Sequence, residues 1–201
     1  MIERPVLLAL AAALGWASPA LACACCADTG ERVETRAAFT SGQREQFLAV
    51  RYAPAADLYA NEAFPQNVRG IATPIETPYR LRVTVASSRL RFDLIDSAGK
   101  GGAIVLPLPR QLERFAVDLR DEPKGGLGPA LYHEWRVTGP AELSGIFAAR
   151  AKRATARLIL QGRGNRCTDA RDLASWSLIV SGPGVAFTLL GELGAEDSTA
   201  R

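Results

Sequence analysis

Methionine is nearly missing from this chain: the one Met is the first residue. Histidine is as scarce, with His133 alone. Together these absences remove the imidazole and thioether ligands of common periplasmic copper centres. Lysine is rare too. Only Lys100, Lys124 and Lys152 stand among the 24 basic residues, so positive charge is carried by arginine. Against 21 acidic residues the net charge is +3, which predicts no nucleic-acid partner. No apolar run reaches the roughly twenty residues of a membrane-spanning helix. No serine sits in Gly-x-Ser-x-Gly, which excludes a nucleophile elbow, and "GKGGAIV" lacks the spacing of a phosphate loop. Internal repeats, low-complexity tracts and long helical stripes are also lacking, so solenoids and parallel α/β folds are not expected.

What is present begins with an export signature. Arg4 precedes an apolar run from Val6 to Trp16, and the chain then reaches Ala20-Leu21-Ala22, a small-x-small cleavage pattern. Residues 1–22 are expected to be a cleaved signal peptide, leaving 23–201 as one domain of a periplasmic or secreted protein. Two other forms of processing would change the mature start. Ala22-Cys23-Ala24 is a second small-x-small site, and Cys23 after Leu21-Ala22 has the look of a lipidated cysteine.

Three of the four cysteines fall in "CACCADTG", and the fourth, Cys167, stands far away in "GRGNRCTDARD". In an oxidising compartment such cysteines form disulfides. A Cys25–Cys26 bridge between neighbours would strain the peptide unit and the disulfide together. The pairing expected is therefore Cys26 or Cys25 with Cys167. The alternative is a soft-metal site in which Cys23, Cys25, Cys26 and Cys167 hold copper(I) or zinc as thiolates. A thiol–disulfide enzyme would want its cysteines at a helix start in a βαβ unit, a setting this pattern lacks.

Period-two alternation dominates after residue 79. Leu81, Val83 and Val85 alternate with Arg80, Arg82 and Thr84, and Leu90, Phe92 and Leu94 alternate with Arg89, Arg91 and Asp93. With 86–88 between them, the two segments predict a hairpin. Further strands are predicted at 102–106, 115–119, 131–137, 154–160, 175–180 and 185–190, and upstream at 36–39 and 47–52. Gly139-Pro140 and the glycine-rich segments 99–102, 123–128 and 182–184 are expected to break them. The reading is an all-β domain, an antiparallel β-sandwich or barrel, with short helical turns near 55–63 and 168–174. In the second turn the Thr168 hydroxyl, followed by Asp169, would cap the helix start, which the acid also suits.

"CACCADTG" together with "LILQGRGNRCTDARDLASWSLIVSGP" resembles a family of uncharacterised exported bacterial proteins. The resemblance implies export and a cysteine-linked loop at 162–174, and no activity, substrate or cofactor.

Candidate functional residues are few. On a strand, His133 would share the apolar face of Leu131, Trp135 and Val137, as a core residue or as a polar contact inside a barrel cavity. Phe92, Phe115, Trp135, Phe147, Trp176 and Phe187 would either fill a core or line a cavity for a small apolar ligand. Arg150, Lys152, Arg153 and Arg157 read as a solvated strand face or loop, with an anionic lipid or polysaccharide partner as the alternative. Asn165, Asp169 and Asp172 match no calcium-loop spacing. The function expected is a non-enzymatic binding or scaffolding module of the envelope, with soft-metal binding or a small apolar ligand as the alternatives.

Overall fold

The computed structural model describes residues 31–59, 78–117, 131–148, 151–164 and 169–194. The predicted hairpin is its clearest element. β3 (Tyr79–Ala86) and β4 (Arg89–Ile95) pair Leu81 with Leu94, Val83 with Phe92 and Val85 with Leu90 on one face. On the other face Arg82 stands in register opposite Asp93. Burial follows the alternation, since Leu90, Phe92 and Leu94 are fully enclosed while Arg80, Arg82, Arg89 and Arg91 are exposed.

The remaining strands are β1 (Arg32–Ala38), β2 (Ala55–Tyr59), β5 (Gly101–Pro107), β6 (Gln111–Val117), β7 (Leu131–Leu143), β8 (Arg153–Gly164), β9 (Leu173–Gly182) and β10 (Val185–Glu192). All pairings are antiparallel. Eight strands close a ring in the order β7-β5-β4-β3-β2-β10-β9-β8, with β8 returning to β7. The fold is therefore a closed barrel rather than a sandwich. Its inside is apolar and its wall carries arginines, the reverse of the lipid-facing band on a transmembrane barrel.

β7 explains how two further strands attach. One of its edges pairs with β8 from Leu131 to Glu142. The other edge pairs first with β6, over Tyr132–Arg136, and then with β5, at Glu142 and Leu143. β6 and β1 thus form a two-stranded flap leaving the wall. Gly139-Pro140 falls where that edge changes partner. A proline without an N–H costs nothing there, so the predicted break is a switch of neighbour and the strand continues.

Both barrel ends are covered. α1 (Ser41–Ala49) crosses the end that holds the β3–β4 turn and the β8–β9 connection. Arg44 donates to the Ser87 carbonyl, and Gln46 Oε1 accepts from the Ala170 N–H at 3.1 Å. Phe47 enters the core and meets Phe39 edge-on at 5.5 Å. At the opposite end, the 3₁₀ helix Gly145–Ala148 inserts Phe147, which stacks on Phe187 at 5.5 Å. Between the plugs, Tyr52, Phe92 and Trp176 form a triangle with centroids 5.7–5.8 Å apart.

Several sequence expectations are corrected. The segment 47–52 is no strand: its first residues finish α1, because Thr40 and Gln43 close a capping box upstream. Thr40 Oγ1 accepts from the Gln43 N–H at 3.2 Å, and Gln43 Oε1 accepts from the Thr40 N–H at 3.1 Å. Conversely, 55–59 of the predicted helical turn is β2. It bridges β10 and β3, and without it the ring would not close. Near 168–174 the turn is the 3₁₀ helix Ala170–Asp172, capped by Asp169, whose Oδ1 accepts from the Arg171 N–H at 2.9 Å. The strand predicted at 115–119 is shifted toward the N-terminus, as β6. The remainder of the 55–63 and 115–119 predictions, the break at 123–128, Asn165 and Thr168 lie outside the described residues.

Candidate functional site

All four cysteines, Cys23, Cys25, Cys26 and Cys167, lie outside the described residues, as does Arg150. Among the described residues no group of three histidine, cysteine or carboxylate side chains is placed to hold a metal.

His133 sits on β7's inward face with Leu131, Trp135 and Val137, as the alternation predicts, and is 3 % exposed. Neither ring nitrogen has a hydrogen-bond partner. Burial pushes its pKa below the ordinary value, and the Asp172 carboxylate partly opposes that shift. Asp172 comes close because of glycine: a Cβ on Gly164 would lie 2.1 Å from its carboxylate. Desolvation at this position favours the neutral imidazole.

On the outer side of the same strand, Glu134 is 9 % exposed and fully engaged. The Tyr132 hydroxyl donates to one carboxylate oxygen and Arg136 to the other. Arg136 also pairs with Glu34 of β1 at 2.6 Å and lies over the Phe115 ring at 4.7 Å. Burial, followed by the Glu134 contact, raises the Tyr132 pKa. This network fastens the β1–β6 flap to the wall and offers neither a free acid nor a free base.

Phe115 is therefore corrected. It stands outside with Tyr132, at 6.2 Å, and is no lining of the barrel interior. Phe92, Trp135, Phe147, Trp176 and Phe187 are inside, each at most 5 % exposed. Of the basic stretch, Arg157 pairs with Glu113 at 3.4 Å and Arg153 stands exposed opposite Glu142. Asp169 is committed to its cap and to Arg171, which donates to it through Nε at 2.8 Å.

A cavity with room for a ligand lies at the α1 end of the barrel among the described residues and holds about 710 Å³. Val50 after α1, Leu173 at the start of β9 and Leu193 after β10 are its more buried, apolar lining. Gln46, Arg51 and the Asp169–Arg171 pair also border it. Its volume is within the usual range for small-molecule pockets, and its make-up, apolar with a few polar groups, is usual too. Nothing in the periodicity of 47–52 or 168–174 marks it, because it is made by two turns brought together by the barrel. The Gln46–Ala170 contact joins residues far apart in sequence.

The class defined by this geometry is a small antiparallel β-barrel, apolar inside, plugged at both ends and open to a cavity beside one plug. No family model, curated protein or solved structure matches the chain.

Proposed function

We propose that this is an exported, disulfide-stapled β-barrel that acts as a non-catalytic binding module, taking a small amphipathic ligand at the α1 end. The observation that carries this reading is the cavity of about 710 Å³ between α1 and the 3₁₀ helix Ala170–Asp172. Val50, Leu173 and Leu193 suit an apolar body, and Arg51 suits an anionic or polar end. The aromatic residues inside the barrel contact one another, so the ligand site of this reading is the mouth and not the interior.

Strand register supports the staple. Arg32, Val117, Tyr132 and Arg163 stand in one cross-strand line. The start of β1 and the end of β8 are thus three strand spacings apart, about 14 Å. Cys26 precedes Arg32 by six residues and Cys167 follows Arg163 by four. Ten residues of chain reach about 33 Å, more than the gap requires.

The test is titration with anilinonaphthalene sulfonate, a dye with an apolar body and one anionic group. Saturable binding is expected, weakened about tenfold or more by Ala174→Trp, which places bulk at an exposed lining position. Binding that is absent, or unaltered by that substitution in a folded protein, would refute the mouth as the site.

A further inference from the structure

One hairpin gathers four exposed arginines on a single face. On the outer face of β3–β4, Arg80, Arg82, Arg89 and Arg91 are all exposed, and the one acid among them is Asp93. Four arginines less one aspartate leave +3 on this face. The cluster gives this wall a dense positive field. Asp93 is taken by Arg91, at 2.7 Å. Among the described residues Arg80, Arg82 and Arg89 have no carboxylate partner. Arg44 of α1 adds a further charge at the hairpin's tip, where it holds the Ser87 carbonyl.

The geometry points to a linear acidic polysaccharide lying along this hairpin, bound through its carboxylates. Register puts the arginines in two columns. Steps along a column are about 7 Å and the columns about 5 Å apart, so charges recur along a line over the strand length. An extended chain can follow such a line. A membrane surface would favour apolar side chains that insert beside the cations, and this face exposes one large apolar side chain, Ile95, at its far end. Arginine, with its planar fork, matches carboxylates two bonds at a time, whereas lysine would supply charge alone. The choice of a glycan over another polyanion rests on the export reading. The site itself does not depend on the mouth cavity.

The probe is oligogalacturonate in low salt, with neutral dextran of equal length as the control. The wild type is expected to bind the acidic oligomer and not dextran, with affinity falling as salt rises. Replacing Arg80, Arg82 and Arg89 together by glutamine should weaken binding about tenfold or more and flatten the salt dependence. Arg153→Gln, on a different part of the wall, should change little. All four side chains are exposed, so unfolding temperatures are expected to stay close to that of the wild type. Undiminished binding in the folded triple variant would overturn the inference. So would tighter binding to phosphatidylglycerol vesicles or to an oligodeoxynucleotide of equal charge than to the glycan. Dye binding at the mouth should survive the triple variant, which separates a failure here from a failure of the proposed function.

Discussion

His133 is a buried imidazole whose two nitrogens find no partner, and that combination has a pH signature. Its folded-state pKa is lowered from the ordinary 6.5, so the unfolded chain binds the extra proton more readily. The stability of the neutral form is present above 6.5 and is lost as pH falls through that value toward the folded pKa. Urea midpoints of the wild type should therefore drop between pH 7.5 and pH 5. His133→Leu should reduce that slope and leave no polar atom orphaned; an equally steep slope in the variant would contradict this account. Gly191 gives a second prediction at this scale. A Cβ there would lie 2.6–2.7 Å from the Trp176 indole, which fills the space above the glycine. Gly191→Ala should cost about 1–3 kcal/mol by overpacking, and it should shift the emission of buried Trp176.

At the scale of elements, α1 is the piece the alternation misses. Its capping box, Thr40-x-x-Gln43, was legible in the sequence, while the apolar residues after it resemble a strand when read alone. Thr40→Ala should cost about 1 kcal/mol in chemical denaturation, since it leaves the Gln43 N–H without its acceptor. Phe47→Ala should cost about 3–5 kcal/mol, because Phe47 is 1 % exposed and anchors the helix across the barrel end. If α1 forms the mouth, Phe47→Ala should also weaken dye binding under conditions where the variant stays folded. β2 shows the opposite error. Ala55–Tyr59 has ordinary helix formers in it, and the unpaired edges of β10 and β3 on either side decide for strand.

For the whole molecule, the prediction concerns processing and staples together. Intact mass of the exported protein, before and after reduction and alkylation, should show the loss of residues 1–22 and at least one bridge. Four free thiols would rule the staple out. A Cys26–Cys167 bond would close a loop of about 140 residues, worth up to about 4–5 kcal/mol on the chain-entropy model. Reduction should then lower the unfolding temperature without abolishing the fold, because the closed ring and its core are built from residues that include no cysteine.

The sequence by itself determined which residues face inward: the alternation of Leu81 to Val85 and of Leu90 to Leu94, and His133 beside Trp135, follow from a period that only a strand can satisfy. Local chemistry also placed a short turn near 168–174, although the cap is Asp169 where the sequence suggested the Thr168 hydroxyl. Tertiary structure alone decided between sandwich and barrel, because closure depends on β7 meeting β8 on one edge and β5 on the other. It moved Phe115 outside, since β6 joins the flap and not the ring. It also created the mouth cavity. A linear pattern records which side of a strand is apolar. Which strand lies next to it, and what space the ends enclose, depend on contacts between residues distant in the chain.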